Sequence, residues 1–190
     1  MSRGEILKYL AETLSFAKTR QSFPFLTDSD FREMLLEASS TMDTSPAGHK
    51  LATSNHLTFY IDGASRGNPG KAAVGVVIIN DKGHVIGEKG KYIGDTTNNT
   101  AEYQALLEAL AEAKIHGGRK IHVYSDSELL VRQINGIYKV RDGKLQTLYN
   151  EAKRLISGFD HFKIDHITRD KNSRADALAN EALDNHSKGI

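Results

Sequence analysis

From residue 57 onward, the hydrophobic residues form strand-like, β-rich runs and then, in places, the longer period of helices. β-branched runs predict three strands, the last two joined by the Asp81-Lys-Gly83 turn, and a long helix then ends at Gly117-Gly118. Strand and helix patterns alternate beyond it. The predicted strands are 57–61, 72–80, 84–93, 121–125 and 162–168, and the predicted helices are 100–116, 127–135, 144–157 and 173–183. This order predicts an α/β fold, a mixed five-stranded sheet with three antiparallel and then parallel strands, flanked by helices.

The first 50 residues have a different pattern. Apolar residues recur at helical spacing from Ile6 to Ala17, and Thr27 or Asp28 is placed to cap a second amphipathic helix. Because two short helices bury little area on their own, we expect them to pack on their own domain or on a protein partner. The sequence therefore predicts three segments, a small helical N-terminal extension over 1–38, a linker over 39–56 and a domain over 57–190.

Composition narrows the possible functions. Hydrophobic residues make up 39% of the chain and charged residues 26%, which is typical of a globular protein, and no apolar run is long enough to span a membrane. The absence of cysteine excludes disulfides, thiolate zinc sites and cysteine nucleophiles, and it permits a cytoplasmic location. Since the net charge is only +1, a nucleic-acid function must be argued from a local site.

Four acidic residues stand at the predicted ends of strands or starts of helices. Each also has a structural explanation: Asp62 as a turn residue, Glu102 as the partner of Asn99 in a capping box, Asp126 as a helix N-cap, and Asp176 as an acid in a first helical turn. Taken singly, none of the four requires a catalytic role.

Taken together, the four acids indicate a metal site. Strand ends and helix starts meet at one rim of an α/β sheet, which would bring these carboxylates together. Because like charges at short distance repel, the four require a counter-charge, and hard divalent cations supply it. The chemistry that suits this arrangement is two-metal phosphoryl transfer, with ions about 3.5–4 Å apart.

The segments around these acids resemble, in order and spacing, the motifs of type 1 ribonuclease H over residues 57–185. The segments are Asp62-Gly-Ala-Ser-Arg-Gly-Asn-Pro-Gly70, Thr97-Asn-Asn-Thr-Ala-Glu102-Tyr103, Tyr124-Ser-Asp126-Ser127 and Asn172-Ser-Arg-Ala-Asp176-Ala-Leu-Ala179. The resemblance implies the ribonuclease H fold and a sequence-independent endonuclease that hydrolyses the RNA strand of RNA/DNA hybrids. It also implies two Mg²⁺ ions per site, with Mn²⁺ as a possible substitute.

The resemblance also implies roles for individual residues. Asp62 would bridge both ions, Asp176 would help to hold the ion that activates water, and Glu102 and Asp126 would hold the ion on the leaving-group side. Turn and cap chemistry is the alternative explanation for the polar loop residues that match substrate contacts. The implied substrate-binding residues are Gly63, Asn68, Thr97, Asn98 and Asn99.

Two departures from the family pattern concern the loops. Arg169 is nearest to the position where many members carry a histidine, and His166 is expected in the last strand. A guanidinium stays charged, so Arg169 could hold a phosphate but could not act as a general base. The basic helix–loop protrusion of some bacterial members is missing; Lys139, Arg141 and Lys144 either replace part of its electrostatic grip or are three solvated loop charges.

The sequence therefore predicts a cytoplasmic, monomeric ribonuclease H without the protrusion and with an N-terminal extension of unrecognised type. The extension does not resemble a known hybrid-binding domain, because that domain depends on tryptophan and this chain has none. Three alternatives stay open: a non-catalytic or weakly active nucleic-acid-binding module, a nuclease of other specificity on the same fold, and a structural protein whose acids are caps.

Overall fold

The structure of the protein is a computed structural model, and it describes Thr27 and residues 56–188. The chain divides into two units, Met1–Ala52 and Thr53–Ile190, and the second unit contains the sheet and its helices. The predicted helical extension and linker lie outside the described residues, except for Thr27 and His56. Both remain predictions from the sequence.

Residues 56–188 form five strands, four α-helices and one short 3₁₀ helix. The strands are β1 (His56–Gly67), β2 (Gly70–Ile79), β3 (Val85–Thr96), β4 (Lys120–Ser125) and β5 (His161–His166). The helices are α1 (Asn98–Ile115), α2 (Glu128–Ile134), α3 (Gly143–Ile156) and α4 (Ser173–Lys188), with the 3₁₀ helix at Arg169–Asn172. In this part of the chain, no helix combines the length and apolarity that crossing a bilayer requires.

The strands form one mixed sheet in the order β3-β2-β1-β4-β5. β1, β2 and β3 pair antiparallel, whereas β4 pairs parallel with both β1 and β5, which confirms the predicted sheet. The parallel ladder between β1 and β4 ends at the pair Ile61 and Ser125. Asp62 and Asp126 each come one residue after this last pair, so both lie at the same edge of the parallel ladder.

The prediction that β1 ends at Asp62 was wrong. β1 continues to Gly67 because its second half still pairs with β2, from Asp62 opposite Gly75 to Gly67 opposite Gly70. Gly and Ser are weak strand formers, so the composition of this half concealed a ladder that tertiary pairing stabilises. Asp62 thus projects from within a two-stranded extension rather than from a loop.

Helices cover both faces of the sheet. Val74 and Val76 of β2 belong to the main core with Leu106 of α1, whereas Val77, the next residue along the strand, packs with Ala175 of α4. Alternate residues of a strand point to opposite faces, so α1 and α4 lie on opposite sides. The main core takes residues from β1, β2, β4 and β5 and from α1, α2 and α3.

Two glycines let α4 lie directly on the sheet backbone. A Cβ atom at Gly75 would be 2.0 Å from the carbonyl oxygen of Ala175, and one at Gly90 would be 2.6 Å from that of Leu178. Any larger residue would push the helix outward. Because Asp176 follows Ala175, this close packing also sets how near Asp176 comes to the sheet edge.

Candidate active site

Three of the predicted acids converge at the edge of the sheet where the parallel ladder ends. Asp62 of β1, Glu102 of α1 and Asp126 just after β4 each offer one carboxylate oxygen, and these atoms all lie within 4.8 Å of one another. Asp62 is 5% exposed and Glu102 is 6% exposed. Burying like charges this closely is unfavourable unless protons or cations compensate them.

Gly63 brings α1 close enough for Glu102 to join the cluster. A Cβ atom at Gly63 would lie 2.2 Å from the backbone nitrogen of Glu102 and 2.3 Å from the carbonyl carbon of Ala101. Only glycine fits such an approach of helix backbone to strand backbone. Gly63 therefore has a structural role in the site in addition to lining the cleft.

The capping explanations for two of the acids were wrong. Thr97, not Asn99, caps α1, and its Oγ1 accepts a hydrogen bond from the backbone nitrogen of Thr100 at 3.3 Å. Ser127, not Asp126, caps α2. Because other residues cap both helices, helix capping does not explain why Glu102 is buried or why Asp126 lies where it does.

Asp176 lines the same cleft but lies beside the cluster of three rather than within it. Its Oδ1 accepts a hydrogen bond from Nη2 of Arg169 at 2.7 Å, and its Oδ2 lies 3.3 Å from Nδ2 of Asn180. Asp176 is also in the first turn of α4, so its favourable position for the helix dipole remains a sufficient structural explanation. Sequence reasoning did not single out Asn180, although its spacing of four from Asp176 places it on the same face of the helix.

Burial and mutual repulsion shift the titration of the clustered acids. Burial raises the pKa of Asp62 to about 7, Asp126 and Asp176 add to the rise, and Arg169 opposes it. Burial also raises the pKa of Glu102 well above its usual value, with the charges of Asp62 and Asp126 adding and the backbone N–H of Gly63 opposing. The cluster thus favours a bound positive charge, whether proton or metal.

The donor set fits a hard divalent cation. Oδ2 of Asp62 and Oε2 of Glu102 are buried and have no hydrogen-bond partner among the described residues. Unpartnered buried oxygens are costly, and carboxylate oxygens are the ligands that Mg²⁺ and Mn²⁺ prefer. Asp62, Glu102 and Asp126 could therefore hold such an ion, with Asp176 alongside.

The other predicted site residues are distributed over three surfaces. Gly63, Asn98 and Arg169 line the cleft with the acids. A neighbouring cleft contains Asn68, Thr97 and Asn99, together with Lys144 at the start of α3. Lys139 and Arg141 lie on a separate exposed surface with Ile137 and Tyr138. His166 is the last residue of β5, as expected, and it is exposed.

Asn68 connects the first two of these surfaces. Its Oδ1 accepts a hydrogen bond from the backbone nitrogen of Asn98 at 3.2 Å, so the β1–β2 connection is tied to the start of α1. The turn-and-cap explanation accounts for part of what Asn68 and Thr97 do. Both residues nonetheless line the neighbouring cleft, which extends to Lys144 and Leu145 at the start of α3.

Known proteins resemble the chain over this domain. Residues 60–182 match a family described as reverse transcriptase-like. The chain is 48% identical to ribonuclease HI of Halobacterium salinarum over 125 residues, which cover 66% of this chain and 63% of that protein. It is 34% identical to ribonuclease H of Chlorobium phaeobacteroides over 145 residues, covering 68% of this chain and 97% of that one. The chain belongs to the type 1 ribonuclease H family.

Solved ribonucleases H share the fold. The crystal structure of RNase H1 from Halobacterium salinarum superposes with a TM-score of 0.67 at 46% identity, covering 68% of this chain and 98% of that one. LC11-RNase H1, solved in complex with an RNA/DNA hybrid, gives 0.66 at 41% identity, with the same coverage of each chain. The match spans 63% of the Halobacterium relative and only 34% of the bifunctional protein Rv2228c of Mycobacterium tuberculosis, so it concerns the ribonuclease H domain.

The connection between α2 and α3 is short and contains no helix, as the predicted lack of the basic protrusion requires. Residues 135–142 alone connect α2 to α3. Asp142 ends this connection by capping α3, where its Oδ1 accepts hydrogen bonds from the backbone nitrogens of Lys144 and Leu145 at 2.8 and 2.9 Å. Lys139 and Arg141 both lie in this short connection.

Proposed function

We propose that the protein is a metal-dependent endonuclease that hydrolyses the RNA strand of RNA/DNA hybrids without sequence preference. The observation that carries this proposal is the buried cluster of Asp62, Glu102 and Asp126, in which two carboxylate oxygens have no partner among the described residues. A structural protein gains nothing from such a cluster. The relative solved in complex with an RNA/DNA hybrid supports the choice of substrate.

Mg²⁺ is the proposed metal, with Mn²⁺ as a substitute. Asp62, Glu102 and Asp126 would hold one ion, and Asp176 would turn from Arg169 to complete a second position beside Asp62. Two such ions would lower the pKa of the attacking water and stabilise charge on the attacking and leaving oxygens. The chain's own contribution is to fix the carboxylates on rigid elements so that the ions sit at a defined spacing.

Arg169 has two proposed roles, one in contact with Asp176 and one in contact with the substrate. It neutralises Asp176 in this structure through a contact of 2.7 Å, and its guanidinium is largely exposed at the edge of the cleft. Once released from Asp176, it could hold a non-bridging phosphate oxygen of the substrate. We do not assign it a proton-transfer role, because contact with Asp176 raises its pKa further.

The remaining polar residues are proposed to hold the hybrid backbone. Asn98 in the acidic cleft, and Asn68, Thr97 and Asn99 in the neighbouring cleft, present amide and hydroxyl groups suited to phosphates and 2′-hydroxyls. Gly63, which lines the acidic cleft, would contribute backbone groups to the same contacts. Lys139 and Arg141 would add a sequence-independent electrostatic attraction from their exposed surface.

We also propose that the protein is a cytoplasmic monomer and that residues 1–38 bind a protein partner. These three statements rest on the sequence predictions alone. Size-exclusion chromatography with light scattering would test the monomeric state, and cell fractionation the location. Affinity capture with residues 1–38 deleted as the comparison would test the partner.

The decisive experiment uses end-labelled RNA/DNA, RNA/RNA and DNA/DNA duplexes, each in Mg²⁺ and in Mn²⁺. We expect cleavage of the RNA strand of the hybrid alone, and its loss in Asp126→Asn. Asp160→Asn is the matched control, because Asp160 is an exposed acid paired with Arg119 at the opposite end of β4 and β5. Hybrid binding without cleavage in either metal would instead identify a non-catalytic binding module.

A further inference from the structure

Asn172 is the one buried amide that contacts the acidic cluster among the described residues. It closes the 3₁₀ helix between β5 and α4 and is 1% exposed. Its Nδ2 donates one hydrogen bond to the carbonyl oxygen of Ile61 and another to Oδ1 of Asp126, each at 2.8 Å. One side chain therefore ties the residue before Asp62 to the neighbouring acid Asp126.

These two hydrogen bonds lie just beyond the last backbone pair of the parallel ladder. The parallel ladder between β1 and β4 stops at Ile61 and Ser125, and the backbone nitrogen of Ser127 is bonded instead to Oγ of Ser125 at 3.1 Å. The chain then turns into α2. Where the next backbone pair of the ladder would be, the side-chain amide of Asn172 donates hydrogen bonds to both strand ends.

The groups around this position require a hydrogen-bond donor, and this requirement determines which way the amide of Asn172 is oriented. Both neighbours of Nδ2 are acceptors, one a carbonyl and one a carboxylate, so an amide oxygen could not occupy this position. Both amide protons are used, whereas Oδ1 of Asn172 has no partner among the residues described. An ionised aspartate here would have no proton to donate and would repel Asp126.

We propose that Asn172 is a positioning residue for the metal site, which rests on the proposed function of the acidic cluster. By holding Oδ1 of Asp126 and the Ile61 carbonyl together, it fixes the rotamer of Asp126 and its distance from Asp62. The second oxygen of Asp126 is then kept toward the cluster. Residues that orient metal-binding side chains in this way affect metal affinity roughly 10–100-fold.

The test measures Mn²⁺ binding to the full chain, without substrate, by titration followed by electron paramagnetic resonance. Asn172→Ala removes the donor and Asn172→Leu removes it while keeping the volume filled. We expect both to bind Mn²⁺ at least about 10-fold more weakly than wild type, at a temperature where circular dichroism shows the fold intact. In hybrid cleavage, kcat should fall and KM should stay unchanged.

Asn135→Ala is the matched control. Nδ2 of Asn135 also donates to a strand carbonyl, that of Ile164 at 3.2 Å, but no contact with a clustered acid accompanies it. It should bind Mn²⁺ as wild type does. In an Asp126→Ala background, Asn172→Ala should cause little further loss of affinity, because a residue acting through Asp126 has nothing left to orient.

The outcomes separate this inference from the function on which it rests. If the wild type itself fails to bind Mn²⁺, the proposed metal site is wrong. If the wild type binds and both Asn172 variants bind equally well, only the positioning role is overturned. Loss of the fold in both variants would likewise overturn it, by assigning Asn172 to stability alone.

Discussion

The acidic cluster and the connection between α2 and α3 are built in opposite ways. Glu102 is 6% exposed and fixed by the approach of α1 to Gly63, and Asp126 is bonded to Asn172. In the connection, Ile137 is 63% exposed and Tyr138 is 46% exposed. Lys139 and Arg141 are exposed there and form no ion pair with residues that the structure describes. In the acidic cluster, close backbone packing and hydrogen bonds fix the carboxylates. In the connection, the basic side chains are solvated and contribute only their charge.

This difference has consequences for how each region tolerates change. A buried carboxylate acts through its position, so replacing one atom should matter as much as removing the side chain. A solvated cation acts through its charge, which falls off with salt and can be shared among neighbours. Substitutions in the cluster should therefore have large, salt-independent effects, and those in the connection small, salt-dependent ones.

The largest effect is expected from Glu102→Gln, which changes one atom of the cluster. Hybrid cleavage should fall by at least about 10²–10³-fold, as when one preorganised electrostatic group is lost from an active site. Stability of the metal-free protein should rise, because a neutral amide avoids the burial cost that raises the pKa of Glu102. Single-turnover cleavage assays and urea unfolding in EDTA measure the two effects.

Glu108→Gln on the same helix is the control for Glu102→Gln. Glu108 pairs with Lys89 and Lys91; partial burial acts to raise its pKa, but these two contacts outweigh it and lower the pKa. Its replacement should leave cleavage unchanged and cost at most about 1 kcal/mol of stability. Equal losses of activity in both variants would mean that the cluster has no special role and would remove the contrast between the two regions.

Much of the fold could be predicted because its signals are local. The β-branched run in β2 and the long helical segment of α1, which ends before Gly117-Gly118, indicated the elements, and their order indicated the mixed sheet. The second half of β1 was missed because Gly63 and Gly67 carry no strand signal by themselves. Pairing with β2 creates that part of the strand, and pairing is a property of two segments at once.

The next effect concerns the backbone approach that holds the cluster together. Gly63→Ala would place a Cβ atom 2.2 Å from the backbone nitrogen of Glu102, so strand or helix must shift. We expect a loss of at least about 2 kcal/mol in the free energy of unfolding, together with a large loss of cleavage. Chemical denaturation and the cleavage assay test the two expectations.

Gly143→Ala is the matched control for Gly63→Ala. Gly143 begins α3, has no heavy atom within 4 Å of its would-be Cβ, and follows the exposed connection. The substitution should leave stability unchanged or raise it by up to about 1 kcal/mol, since alanine favours helix more than glycine. If both glycines tolerated alanine equally, the cluster would not depend on close backbone packing.

The third prediction uses the raised pKa of Asp62, about 7 in the folded protein against an ordinary value of 3.8. Between these values the folded state binds more protons than the unfolded state, so the free energy of unfolding in EDTA should fall as pH rises. Asp62 contributes at most about 1.4 kcal/mol per pH unit to this slope, and the raised pKa of Glu102 adds to it in the same direction. Urea unfolding from pH 4.5 to 7.5 measures it.

Asp62→Asn should reduce this slope, whereas Lys139→Ala should leave it unchanged. Divalent metal should stabilise the wild type more at pH 7.5 than at pH 5, because the ion and the proton compete for the same carboxylates. A stability that rises across this pH range in EDTA would contradict the burial of a charged cluster.

The site could be predicted only in part from the sequence. Strand order and motif spacing are enough to bring Asp62, Glu102 and Asp126 together. The contact between Arg169 and Asp176, and the bridge made by Asn172, depend on how the 3₁₀ helix folds back against β1. No periodic pattern encodes such a short connection. The distribution of the polar residues over separate clefts likewise follows from surface shape and not from spacing.

The smallest effect is expected in the connection itself, from the pair Lys139→Ala and Arg141→Ala. Hybrid binding, measured by fluorescence anisotropy in an Asp126→Asn background that prevents cleavage, should weaken several-fold at low salt. The plot of log affinity against log salt should become shallower by about 1–2 units, because each lost phosphate contact removes about one released counterion. The free energy of unfolding should not change.

The matched control is the pair Lys114→Ala and Lys120→Ala. It removes the same charge from the end of α1 and the start of β4, which lie far from the acids, and it should leave the slope unaltered. If both pairs change the slope equally, Lys139 and Arg141 are ordinary solvated charges, and the hybrid is held by the clefts alone.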